Sequence, residues 1–371
     1  MKRNLLVLFC FANLFAMSQD YSFSQFDLNL MYSNPAFAGY DNNNRILFHR
    51  KNQWMGISEK FNSNILEFNL SHELIKSGLG HRKTTWAGGI YIIEDHENSV
   101  IKKYQVGIIP WAFHYQLPKN IFLSLGIQNV ISYNTLDWDK LIFSDQIDEF
   151  GETGNETSAN APHYFKYTNW FDPSFGLIIT KHSQNQRNTG QTSSIGFSVH
   201  HLNSVIESFY NNQTETSKHP MKYTFHGEHL GNIPDFLSRN FKYWKMFFRH
   251  EAQTKNMMQK DEFGLSTTLS NKMQIELGTI YRLGRHSQSD NTRLMSESII
   301  PIIRMRLNTG QKIGMEIGYS YDFNISKLGN INTIATNEIN INFYFIKAKT
   351  SICPANGKWG NNKKWTGTYY N

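Results

Sequence analysis

The sequence is poor in the residues from which most catalytic, metal and nucleic-acid sites are assembled. It has two cysteines in 371 residues. Cys10 falls inside an apolar leader, which leaves Cys353 alone and excludes an internal disulfide framework. Charged residues make up only 18% of the chain. Although the formal net charge is +7, the basic residues form no cluster interleaved with aromatics, so a nucleic-acid face is excluded. The G-x-S-x-G nucleophile elbow is absent. Outside the leader no stretch approaches about 18 consecutive apolar residues, so no helix is expected to span a bilayer. No repeat of fixed period emerges, which disfavours propellers and solenoids.

What the chain does have is aromatic residues, 14% of the total with 27 Phe and 18 Tyr, set in a period of two. Ile313, Met315, Ile317, Tyr319 and Tyr321 alternate with Lys312, Gly314, Glu316, Gly318 and Ser320. Ile339, Ile341, Phe343 and Phe345 alternate in the same way with Glu338, Asn340, Asn342 and Tyr344. This is the pattern of strands with one apolar and one polar face. A soluble sandwich alternates too, but these segments run to about 9–12 residues, the length that crosses a bilayer at a barrel's tilt. A mean hydropathy of −0.48 is compatible with this, because a transmembrane barrel averages its lipid-facing and lumen-facing residues. The expected fold is all-β, a transmembrane antiparallel barrel of roughly 14 strands in a bacterial outer membrane, with long extracellular loops.

Residues 1–18 read as a secretory signal peptide: Lys2 and Arg3, an apolar run, then the small residues Ala16 and Ser18. Residues 19–44 read as a periplasmic segment with a turn motif, 45–346 as the barrel, and 347–371 as a basic, aromatic periplasmic tail. Long polar stretches at 133–168, 204–220, 284–296 and 322–335 are assigned to the cell surface. The longest is acidic and too poor in apolar residues to pack alone.

Candidate chemistry is sparse. His200 and His201 are neighbours on a strand and point to opposite faces, so they are not expected to share an ion. His226 and His229 diverge likewise, and neither a metal nor a cofactor is expected. Asp261, Ser266 and His250 supply the residue types of a triad, but a triad is defined by geometry. Arg304 and Arg306 share the polar face of one strand, Glu276 and Arg282 that of a second, and Glu316 that of a third. These five are expected to line the lumen, either paired with one another, which is the favoured reading, or setting the selectivity of a pore.

Three groups of residues carry a family resemblance. The first is Phe23-Ser24-Gln25-Phe26, then Asn34-Pro35-Ala36-Phe37-Ala38-Gly39, then Arg50-Lys51-Asn52-Gln53-Trp54. The second is Phe143 through Asp148 with Gly196 through Asn203. The third is Gly318 through Leu328, Asn337-Glu338-Ile339 and Cys353-Pro354. In this order they resemble the PorP/SprF family, outer-membrane proteins of the type IX secretion and gliding systems of Bacteroidetes. The sequence departs from the family pattern after Asn203, where Ser204 and Val205 stand in place of a nearby proline. The resemblance implies a non-enzymatic barrel that supports secretion of a large adhesin and anchors it through the adhesin's C-terminal domain. It also implies a periplasmic peptidoglycan-binding lipoprotein and other secretion components as partners, alongside the outer-membrane lipids. Asp145, Gln146 and Asp148 are then expected to meet the secreted domain. Asn34, Pro35, Phe37, Arg50, Gln53 and Trp54 are expected to form a periplasmic docking surface around the start of the first strand. The alternatives are a diffusion or uptake channel and, more remotely, an exported β-sandwich that binds carbohydrate.

Overall fold

The computed structural model describes residues 20–345, except 29, 42, 57–60, 77–82, 98–99, 163, 185–189, 207, 210–217, 234–240, 255–258, 270–273, 289–290, 309–312 and 327–335. The leader, Cys353 and the tail 347–371 lie outside the described residues.

The strands are β1 (Asn44–Gln53), β2 (Phe61–Lys76), β3 (Lys83–Glu97), β4 (Ile101–Leu117), β5 (Ile121–Leu136), β6 (Ile147–Asp148), β7 (Gly151–Glu152), β8 (Lys166–Gln184), β9 (Gly190–His200), β10 (Lys222–Asn232), β11 (Phe241–Gln253), β12 (Gln259–Leu269), β13 (Gln274–Gln288), β14 (Asn291–Asn308), β15 (Ile313–Asn324) and β16 (Thr336–Phe345). Fourteen of them form one closed antiparallel barrel, and β6 and β7 pair apart from it. The seam joins β1 to β16, from Asn44 opposite Phe345 to Asn52 opposite Asn337. Closure leaves no strand edge to pair with another chain.

Burial decides which solvent the apolar faces meet. In β15 the buried positions are Gly314, Glu316, Gly318, Ser320 and Asp322, while Ile313, Tyr319 and Phe323 are exposed. Leu70, Ile92, Trp111, Ile179, Ile195, Leu265 and Ile303 are also exposed, spread around the barrel. The polar face is therefore inside and the apolar face outside. That inversion excludes a soluble sandwich, because such a surface is stable only against lipid. No helix among the described residues is long and apolar enough to cross a membrane; the strands do the crossing.

The end where β1 finishes carries the connections 137–165, 201–221 and 325–335, while the end holding the start of β1 and the finish of β16 includes the three-residue turn Pro118–Asn120. Long loops mark the cell-surface end and short turns the periplasmic end. One expected surface loop is absent: across 284–296, β13 and β14 continue as a hairpin ladder to Gln288 opposite Asn291. The acidic stretch is also more ordered than its composition suggests, with a turn at Ser144–Gln146 leading into the β6–β7 pair.

The segment 20–43 lies inside the barrel rather than in the periplasm. An eight-stranded barrel is just wide enough to be filled by its own side chains, so a fourteen-stranded one needs additional chain or water. Phe23, Leu30, Met31, Ala36 and Ala38 are all essentially inaccessible there.

Candidate functional site

The interior segment begins at the cell-surface mouth, where Asp20 meets residues just beyond β9 and at the start of β10. It descends to Asp27 and Leu28, which meet Lys245 and Arg45 near the periplasmic end. It then rises to Tyr32 beside Lys222, turns back at Leu30–Asn34, and descends again to enter β1 from the periplasmic end. Its polar groups are matched by the wall. Asp27 accepts two parallel hydrogen bonds from Arg304 Nη1 and Nη2, at 2.6 Å each, and an ion pair from Lys245. Gln25 accepts from Arg304 Nε at 3.1 Å. The backbone N–H groups of Ser24 and Gln25 both donate to Glu338, at 2.7 and 3.2 Å.

All five charges expected in the lumen are brought into this interior. Arg304 reaches Glu276 at 3.3 Å, and Arg306 reaches both Glu276 at 2.7 Å and Glu316 at 2.5 Å. Arg282 pairs with Glu262 at 2.8 Å and with Asp322 at 2.6 Å. Asp27 and Gln25 are not legible as their partners from sequence, because a segment without periodicity does not reveal which side of a wall it occupies.

Asn34, Pro35 and Phe37 are buried inside the barrel, out of reach of a folded partner. Asn34 caps a short turn, its side chain accepting from Ala36 N–H at 2.9 Å while its amide lies 3.0 Å from His226 Nε2. Gly126 and Gly176 face each other on β5 and β8 and form the notch that admits this turn. A Cβ on Gly126 would lie 2.4 Å from the Pro35 backbone, and one on Gly176 would lie 2.0 Å from Asn34 Oδ1.

Arg50, Gln53 and Trp54 do not mark the periplasmic start of β1. Arg50 is on the outer surface, bonded to Asn52 at 2.9 Å. Gln53 and Trp54 stand at the far, cell-surface end of the strand, where Trp54 adopts φ +57° with its ring edge-on to Phe61. Both line a mouth cavity of about 430 Å³ with Asp20, Lys51, Asp95, Lys260 and Arg282.

Asp145, Gln146 and Asp148 organise the long loop itself. Asp145 accepts from Ser158 N–H at 2.6 Å, from the Ser158 hydroxyl at 2.7 Å and from Thr157 at 3.0 Å. Gln146 donates to Asn155 O at 2.8 Å, and Asp148 accepts from Phe150 N–H at 2.7 Å. The donors from Ser158 and Thr157 hold the Asp145 carboxyl below its ordinary range.

At the mouth, Asp20 Oδ1 lies 2.9 Å from His219 Nε2, and Asp20 Oδ2 lies 3.1 Å from His201 Nε2 and 2.7 Å from Lys222 Nζ. Burial raises the Asp20 carboxyl, but Lys222, His201 and His219 overcome it and hold the group well below the usual carboxylate range. His200 and His201 do part company: His200 turns to Ser33 O at 3.1 Å, and His201 joins His219. The residue types suggestive of a triad do not assemble. His250 pairs with Asp261 at 2.6 Å, while Ser266 points inward to Glu276 at 2.8 Å.

A closed barrel with an apolar exterior, a polar filled lumen and its longest loops at one end is an outer-membrane β-barrel. The chain belongs to the family of type IX secretion system membrane proteins PorP/SprF, whose model matches residues 16–343. This is a family of secretion-system membrane components and not of enzymes. No curated protein sequence matches the chain. Among solved structures, the β-domain of the Bordetella autotransporter BrkA is similar at 9% identity and a TM-score of 0.42, over 82% of this chain and 98% of that one. OprB of Pseudomonas putida is similar at 7% identity and a TM-score of 0.38, over 82% and 93%. The translocator domain of NalP from Neisseria meningitidis is similar at 9% identity and a TM-score of 0.35, over 86% and 95%.

Proposed function

We propose that this protein is a plugged outer-membrane anchor, which supports secretion of a large adhesin and holds it at the cell surface through the adhesin's C-terminal domain. The observation that carries this reading is the filled lumen. Residues 20–43 occupy the interior and are bonded to the wall along their length, so the surface offered to a partner is the mouth and its loops. The loop 137–165 presents Ile142, Ile147 and Phe150 to solvent, with Phe150 91% exposed, on a frame fixed by Asp145. Exposed apolar groups on a rigid polar frame suit the capture of a folded domain. The periplasmic lipoprotein then engages the short-turn end together with the tail 347–371, since Asn34, Pro35 and Phe37 are enclosed.

Deleting residues 145–160 is expected to release the adhesin into the medium while the barrel still folds, as read by its heat-modifiable migration on a denaturing gel. Full retention of the adhesin on cells carrying that deletion would refute loop capture.

A further inference from the structure

We propose that Asp20, His201 and His219 form a binding site for zinc or a similar late divalent metal ion, which staples the interior segment to the barrel wall at the cell-surface mouth. One carboxylate oxygen and two imidazole nitrogens, all within 4.8 Å of one another, converge here. The Asp20 oxygens already stand 2.9 and 3.1 Å from the two Nε2 atoms. Tetrahedral ligands held about 2.0–2.1 Å from zinc stand roughly 3.3 Å apart. Turning the two rings so that their ligand nitrogens, which lie within 4.8 Å of one another, reach that spacing completes the three protein positions. Two nitrogens and a carboxylate oxygen suit zinc, and three protein ligands leave a fourth position open.

A second, independent observation is the group behind His201. Its Nδ1 lies 2.6 Å from Asp172 Oδ2, and Asp172 is itself buried. A carboxylate that accepts a hydrogen bond from Nδ1–H fixes the tautomer, so that Nε2 is the nitrogen presented to a metal. The backbone supports this arrangement. His201 adopts φ +59° immediately past β9, which breaks the strand's alternation and returns its ring to the same side as that of His219. Lys222 Nζ is the one lysine or arginine group at hydrogen-bond distance from the Asp20 carboxylate among the described residues. It also donates to the Tyr32 hydroxyl at 3.1 Å and lies 4.7 Å from the Tyr32 ring centre, so it keeps a partner when a metal takes over Asp20. A metal needs each Nε2 as a free lone pair, so protonation of the imidazoles competes with binding and uptake weakens in acid.

The three ligands come from the interior segment and from either end of the β9–β10 connection, so a bound metal ties residue 20 to the wall. The test uses full-length protein without a polyhistidine tag, purified in detergent and stripped with a chelator. Titration with zinc chloride followed by gel filtration is expected to leave one zinc per chain. His201→Ala/His219→Ala is expected to lose that zinc. Asp172→Asn is expected to keep the stoichiometry but bind about 10–100-fold more weakly, as the loss of a group behind a ligand does. Wild-type protein that retains no zinc, or a folded double variant that retains as much as wild type, would overturn the proposal. If the double variant fails to fold, zinc-edge X-ray absorption on wild type decides. Two imidazoles with an oxygen ligand support the site, whereas sulfur or all-oxygen coordination overturns it.

Discussion

Asp27 is the residue on which the interior network turns, since it receives both Arg304 and Lys245 in a space closed to water. Removing one member of a buried pair costs about 3–5 kcal/mol, because the other charge is left uncompensated. Asp27→Asn is therefore expected to lower the urea midpoint of the barrel in detergent. Asp27→Leu/Arg304→Met is expected to regain part of the loss, since the pair is removed together. Equal, additive losses across that cycle would argue against direct coupling. Asp145 offers a test of pH dependence in the surface loop. Its carboxyl titrates lower when folded, so its contribution is complete above the unfolded value of about 3.9 and fades as pH falls through the lower folded value. Proteolysis of the 137–165 loop is thus expected to be constant from pH 5 to 8 and to rise only in stronger acid. An Asp145→Asn loop is expected to be cut faster at neutral pH.

At the scale of elements, the facing glycines of β5 and β8 determine whether the Asn34 turn can seat. Gly126→Leu and Gly176→Leu are each expected to unseat it, because the new side chain would occupy the place of Pro35 or Asn34. A cysteine placed at position 36, buried in the parent, is then expected to react with a water-soluble maleimide in either variant and to remain protected without them. The strands themselves were legible from sequence. Ile313 to Tyr321 and Ile339 to Phe345 state their pairing faces in period two, and that period is what a barrel wall imposes. Burial could not be read in the same way, since alternation is identical whether the apolar face meets a core or lipid. From sequence, residues 19–44 read as a periplasmic segment with a turn motif, because Asn34-Pro35 signals a local bend and says nothing about what surrounds it. The Asp20, His201 and His219 cluster leaves no spacing to find, since the two histidines stand at either end of the β9–β10 connection and Asp20 is far from both in sequence.

Over the whole molecule, the filled lumen sets the transport behaviour. Wild-type protein in planar bilayers is expected to be silent, and a variant lacking residues 20–33 to conduct. Steady large conductance from the wild type would favour a diffusion channel instead. The seam between β1 and β16 also bears on assembly. Glu338 of β16 receives His49 of β1 at 3.1 Å and the Ser24 and Gln25 amides of the interior segment. These strands stand at opposite ends of the barrel sequence, and their pairing closes the wall. A wall that shut without residues 24 and 25 in place would leave Glu338 facing a lumen open to water, with water in place of two of its donors. Closure and filling are therefore linked through one carboxylate, by which the last strand holds both the first strand and the first part of the described chain.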